Sequence, residues 1–212
     1  MKQVIYLCLL LITLTGCSFN NEKSAAAKTG SNHTIPSYYD DYILNPQVSD
    51  DRLLQEIGQF SRDNRGELTV KAAELDSHTY KIGSSIELTV REAKILHFKP
   101  DYSLIDFYHS YTHDQEFDFI KLFIEIKNTS NEPLKFAPIA ILNTSSGEKK
   151  IYEDDIYLEE LNGEIAANGT KKGNFGFIIE KSNADSIEIV TSDVFNVQDK
   201  KLNNGEKFKI NF

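Results

Sequence analysis

The chain has 212 residues, enough for one domain of ordinary size or two very small ones. Acidic residues outnumber basic ones 32 to 23, a formal charge of -9. That excess speaks against a general nucleic-acid binder, which needs cations to displace the counterions around phosphates. With 40% hydrophobic and 26% charged residues the chain has the composition of a folded domain, and its two cysteines exclude a four-cysteine zinc site and allow at most one internal disulfide.

In chain order, the first element is a leader. Lys2 precedes an apolar run from Val4 to Leu14, followed by Thr15 and Gly16. The run has the length of a signal-peptide core and is too short for a membrane span, which needs roughly 17 to 25 apolar residues. It ends in Leu14-Thr15-Gly16-Cys17, which resembles the bacterial lipobox. The resemblance implies cleavage between Gly16 and Cys17, a diacylglyceryl thioether on Cys17, and a protein held by lipid on the outer face of the cell membrane. Cys8 then leaves with the leader, and Cys17 is consumed by the lipid. Residues 1–16 are therefore read as a lipoprotein signal peptide. Residues 17–48, rich in Ser, Asn, Lys and Ala at their start, are read as the lipidated cysteine and a flexible tether.

A helical prefix is expected over 49–75. Ser49 is placed as an N-cap, Asp50 and Asp51 stand in the first turn, and Leu53, Leu54, Ile57 and Phe60 recur at helical spacing before Gly66. Beyond Lys71 the period changes to two. Ile86, Leu88 and Val90 alternate with Glu87, Thr89 and Arg91, and Ile120, Leu122, Ile124 and Ile126 alternate with Lys121, Phe123, Glu125 and Lys127. Both read as half-buried strands with one core face. Further strands are expected over 134–143, 148–152, 173–179, 186–191 and 207–212. Turn residues separate them at 128–133, 145–147, 168–169 and 203–205. Pro138 marks an edge or a bulge within its strand. The fold class is mainly β, an antiparallel immunoglobulin-like β-sandwich of about seven strands over 76–212. The absence of Trp excludes an antibody-type core.

Several turn and core residues carry a further likeness. They are Tyr80-Lys81-Ile82-Gly83, the run Ile126-Lys127-Asn128-Thr129-Ser130-Asn131-Glu132-Pro133-Leu134, Ile141-Leu142, Ser146-Gly147-Glu148-Lys149, and Ala167-Asn168-Gly169-Thr170 with Gly173 and Phe175-Gly176-Phe177. Together they resemble the immunoglobulin-like modules of unknown function found on many bacterial lipoproteins, a group similar to the mycobacterial immunoprotective extracellular antigen. The likeness covers about residues 80–197, implies the sandwich, and assigns no catalytic residue. The connection over 97–115 and the prefix over 49–75 lie outside the pattern.

That connection holds three of the five histidines and several aromatic residues. Tyrosine offers a large contact area with few rotors to freeze, so Tyr102, Phe107, Tyr108, His109, Tyr111 and His113 are the candidate binding residues. The bland alternative is a short helix, with Leu104, Ile105, Tyr108 and Tyr111 at helical spacing, packing over an open end of the sandwich. His109 and His113 stand four apart, but they lack the glutamate of the zinc-protease arrangement. Glu153-Asp154-Asp155, Glu159-Glu160 and Glu164 could offer oxygens to calcium without the order of a loop site. No Gly-x-Ser-x-Gly elbow and no phosphate loop occurs. The expected function is thus a non-catalytic binding or adaptor module that needs no cofactor. Its partners are the membrane, through the lipid on Cys17, and a protein, peptide or glycan of the envelope. The alternative is an accessory protein of an envelope complex acting through the 49–60 helix; an envelope enzyme using His109 or His113 has the least support.

Overall fold

The computed structural model describes residues 34–212. The signal peptide, Gly16 and Cys17 lie outside the described residues. Fourteen strand segments carry the fold, against the about seven expected. The first five are β1 (Phe60–Asp63), β2 (Gly66–Glu74), β3 (His78–Ile82), β4 (Ile86–Pro100) and, after the short helix α1 (Ile105–Tyr108), β5 (Phe117–Asn128). Next come β6 (Leu134–Phe136), β7 (Ile141–Thr144), β8 (Lys149–Ile151), β9 (Gly163–Ile165) and β10 (Thr170–Ile179). The last four are β11 (Ser186–Val190), β12 (Val194–Asn196), β13 (Lys201–Asn203) and β14 (Lys207–Asn211).

The strands form three antiparallel sheets. A large front sheet runs β1-β2-β4-β5-β10, with β3 also paired to β4. Two smaller sheets, β14-β11-β7-β8 and β13-β12-β6-β9, lie behind it. Pro138 explains the split between these two. The stretch read as one strand over 134–143 breaks around it, and the chain leaves one back sheet as β6 and enters the other as β7. Proline offers no N–H to a ladder, so the switch falls where pairing is already lost. The sandwich core lies between front and back. Ile120, Leu122, Ile124 and Ile126 of β5 meet Leu134, Leu142, Ile187 and Val194 of the back sheets. The mainly β, antiparallel sandwich expected from the alternation is the observed architecture.

The second face of the front sheet is where the fold departs from expectation. β5 is not half-buried, because Phe117, Phe119, Lys121 and Phe123 on its opposite face are buried as well. A bulge in β4 does the same for its neighbour. Val90 pairs with Ile124 and Glu92 with Phe123, so Arg91 is an extra residue. One added residue exchanges the faces of everything after it. Ile86, Leu88 and Val90 point into the sandwich, and beyond the bulge Ala93 and Ile95 do. Glu92, Lys94, Leu96 and Phe98 are thereby turned outward, under a second layer.

That layer is the segment before β1, and it overturns two expectations. There is no helix over 49–75. Residues 49–59 form turns, and 60–74 form the hairpin β1–β2, part of the front sheet. The helical spacing misleads because only Leu54 of its four apolar residues is buried, while Ile57 is 75% exposed. The expected N-cap, Ser49, instead donates its hydroxyl to Asp63 and to the Gly66 carbonyl. Gly66 ends a two-residue hairpin loop at φ 144° rather than a helix, and a side chain there would collide with the Lys99 carbonyl. The tether also stops earlier than 48. A 3-10 turn at Ser37–Tyr39 already buries Tyr39, and Asn45 and Val48 are buried after it. Asn45 Oδ1 accepts the Gln47 N–H, which closes a turn at Asn45-Pro46. Residues 37–59 thus make a strap across the outer face of the front sheet.

Candidate functional site

Two places in the molecule gather chemistry. The first is a cleft of about 570 Å3 at one end of the sandwich. His97 and Asp118 are cross-strand neighbours on β4 and β5 and continue the inner face beyond Ile95 and Ile120. His97 Nδ1 lies 2.7 Å from Asp118 Oδ1, which fixes the ring at the cleft wall. Tyr111, Thr112 and Asp114 of the 97–115 connection line it. Lys150, Glu153, Asp154 and Glu180 line it as well. Carboxylates dominate: Asp114, Glu116, Asp118, Glu153, Asp154 and Glu180 face only His97 and Lys150 as basic groups. The Lys150 ammonium is itself 3.4 Å from Glu148. Such a wall favours a cationic ligand, and the rings of Tyr111 and Phe117 add apolar and π surface beside the acids.

The structure sorts the candidate binding residues. Tyr111 lines the cleft. Tyr102 stands 86% exposed, and His109 and His113 are exposed with ring centroids 6.4 Å apart. Tyr108 is a correction: it is buried, crosses Phe98 edge-on at 5.5 Å, and donates its hydroxyl to the Gln47 carbonyl at 2.9 Å. It locks the strap instead of facing a ligand. Phe107 packs against the same outer layer. The connection does form a short helix, α1, that covers apolar surface, while its far end opens on the cleft.

The acidic stretch divides in the same way. Asp155 is buried and accepts the N–H groups of Gly176, Tyr157 and Leu158. Burial pushes its carboxyl up to about 6 against those three bonds. Glu159 accepts from the Tyr42 hydroxyl, Asn45 and the Asn174 N–H. Both carboxylates fasten loops. Among the described residues no group of three or more His, Cys, Asp or Glu is placed to hold a metal ion. Nor is any helix among them long and apolar enough to cross a membrane.

The second place was missed by the sequence reading. Under the strap, Asp51 meets Glu92, Lys94 and Lys121, all four buried. Lys121 Nζ is 2.7 Å from both Asp51 carboxylate oxygens, 2.8 Å from Glu92 Oε1 and 2.7 Å from the Tyr39 hydroxyl. Lys94 Nζ lies 2.9 Å from Asp51 Oδ2 and 3.0 Å from Glu92 Oε1. The Tyr38 and Tyr39 hydroxyls donate to the two Glu92 oxygens at 2.7 and 2.6 Å. Two cations and two anions cancel, so no net charge is buried. Burial works against the Glu92 charge, but Lys121 and Lys94 outweigh it and hold the carboxyl below its ordinary range. Burial likewise opposes the Lys94 charge, and Asp51 and Glu92 overcome it and raise the ammonium above its usual value. A signal was present: Lys121 sits in Phe119-Ile120-Lys121-Leu122-Phe123, apolar on both faces.

A relative aligns with this chain over its whole length. The chain is 42% identical over 237 aligned residues, spanning all of both proteins, to the uncharacterized protein YdhF of Bacillus subtilis (strain 168). The chain belongs to the YdhF family. No family model matches it. Among solved structures, a functionally unknown protein from Listeria monocytogenes EGD-e superposes with a TM-score of 0.51 at 15% identity, covering 69% of this chain and 87% of that one. That likeness concerns the fold alone. A conserved hypothetical protein from Bacillus anthracis reaches a TM-score of 0.39 at 16% identity over 57% of this chain and 90% of its own.

Proposed function

We propose that this protein is a lipid-anchored, extracytoplasmic and non-catalytic binding module. In this reading Cys17 carries the lipid, and the cleft takes a cationic segment of an envelope protein or peptide. The anchor rests on the leader and on Leu14-Thr15-Gly16-Cys17. The resemblance of residues 80–197 to modules carried by bacterial lipoproteins points the same way. One observation carries the binding role: the aromatic connection and the acidic stretch, far apart in sequence, line one cleft of about 570 Å3.

The anchor is tested by mass spectrometry of the mature amino terminus from native membranes, where a diacylglyceryl Cys17 is expected. An unmodified Cys17, or an uncleaved leader, rejects it. Binding is tested with a labelled oligolysine peptide and the full chain in detergent. Affinity should fall several-fold in an Asp114→Asn, Glu153→Gln double variant, in Tyr111→Ala, and on raising salt. Affinity that ignores all three changes rejects the cleft.

A second reading has its own support. Ile57 and Phe60, expected on a docking helix, are exposed on the strap and at the start of β1 instead. A partner of an envelope complex could dock there without a helix, and loss of function with retained folding in an Ile57→Asp, Phe60→Asp variant would favour that role.

A further inference from the structure

We infer that Asp51 and Lys121 form an intramolecular isopeptide bond that welds the strap to the front sheet. The three groups such a bond requires are already in contact. The nucleophile is the Lys121 amine, 2.7 Å from each Asp51 carboxylate oxygen; a turn of the carboxyl about its Cβ–Cγ bond presents the face of the carbon to the nitrogen without separating the two groups. The base is Glu92, whose Oε1 lies 2.8 Å from Lys121 Nζ and whose two oxygens are oriented by the Tyr38 and Tyr39 hydroxyls. The electrophilic aid is Lys94, with its ammonium 2.9 Å from Asp51 Oδ2, where negative charge gathers as the carbon becomes tetrahedral.

The step balances without any outside reagent. Lys121 passes a proton to Glu92, and its lone pair attacks Asp51 Cγ. The tetrahedral oxyanion rests against Lys94. Glu92 returns that proton to the departing oxygen and then relays the second proton from the nitrogen to the same oxygen, so that the C–O bond breaks with water as the leaving group and Glu92 ends as a carboxylate. A carboxylate and an ammonium become an amide and one water. The surroundings suit the reaction: Lys94 is 0% and Lys121 1% exposed, so bulk water is kept from the site, and desolvation favours a neutral amide over a buried ion pair. Glu92 and Lys94 are left as a matched pair. The position also has a mechanical logic. The end of the strap next to β1 pairs through the backbone, Gly58 and Gln59 with Val70, whereas Tyr39, Asn45, Ser49 and Asp51 further along it reach the sheet and its loops through side-chain hydrogen bonds. The amide supplies a covalent fastening.

The test is a tryptic peptide map of the full chain, purified in detergent and denatured before digestion. An acylated Lys121 is not cleaved. The expected product is therefore a branched peptide joining residues 29–52 to residues 95–127, lighter by one water than the two together. Lys121→Arg should abolish the branch, and Glu92→Gln should slow its formation about 100-fold or more. Cleavage after Lys121 together with a linear 29–52 peptide overturns the proposal, as does a branch at Lys94. Formation undiminished in Glu92→Gln removes Glu92 from its role. The wild-type map decides the bond itself even if a variant fails to fold.

Discussion

The two faces of the front sheet are built on opposite plans. Short of His97 and Asp118 at its end, the inner face is aliphatic and aromatic, and Ile120, Leu122, Ile124 and Ile126 press on the back sheets with no charge among them. The outer face mixes Phe117, Phe119 and Phe123 with two lysines and a glutamate, and takes its cover from a strap that precedes β1 in the chain. The inner face is stable because each residue leaves water independently. The outer face is stable only as a set, since each charge is tolerable because the others are present. A chain can therefore carry a forgiving core and an all-or-none one on the same strand.

The sharpest way to break the contrast is to remove one member of the set. Glu92→Ala leaves three charges out of balance and should cost about 3–5 kcal/mol. Its inner-face counterpart, Ile124→Ala, should cost about 2–5 kcal/mol. Urea titrations of both distinguish them by pH, since only the first should alter the pH profile. The sign follows from the shifts. Glu92 has its carboxyl lowered from the ordinary 4.5, so its contribution is complete above that value and is lost as pH falls toward the folded one. Lys94 has its ammonium raised from the ordinary 10.5, so its contribution is complete below that value and is lost as pH climbs through the folded one. Apart from the decline that the raised Asp155 carboxyl adds as pH climbs from its ordinary 3.8 to about 6, stability should run level between those limits and fall at both ends, with Glu92→Gln blunting the acid fall. A titration that stays level into acid would contradict this.

Tyr108→Phe tests the strap's lock more gently. It removes the hydroxyl from the Gln47 carbonyl and should cost about 0.5–1.5 kcal/mol, while a cleft-binding measurement stays unchanged. The smallest effect belongs to Ile57→Asp, expected within about 0.5 kcal/mol of the parent in thermal melts, because the residue stands in solvent. A cost of several kcal/mol would restore the buried helical face that the spacing had suggested.

The inner face was legible because a period of two is the imprint of one buried side. β4, β5, β10, β11 and β14 all fall where alternation placed them. The outer face was hidden for three reasons. Arg91 interrupts the alternation in β4. The strap residues that complete the layer have no period of their own. Leu53, Leu54, Ile57 and Phe60 imitate a helix although hairpin and turns occupy that stretch. For the cleft, the sequence identified both lining segments without showing that they meet. For the charged set it offered Lys121 between phenylalanines, and only the bulge reveals that Glu92 and Lys94 share its side.

The bulge at Arg91 also makes chain length in β4 a matter of sidedness. Were Arg91 deleted, the downstream half of the strand would be read in the other phase. Glu92 and Lys94 would be driven among the isoleucines, and Ala93 and Ile95 would be left facing the aspartate they cannot answer. Conservative replacement of any one of these residues is a local event, whereas dropping the spacer would invert half a strand at a stroke.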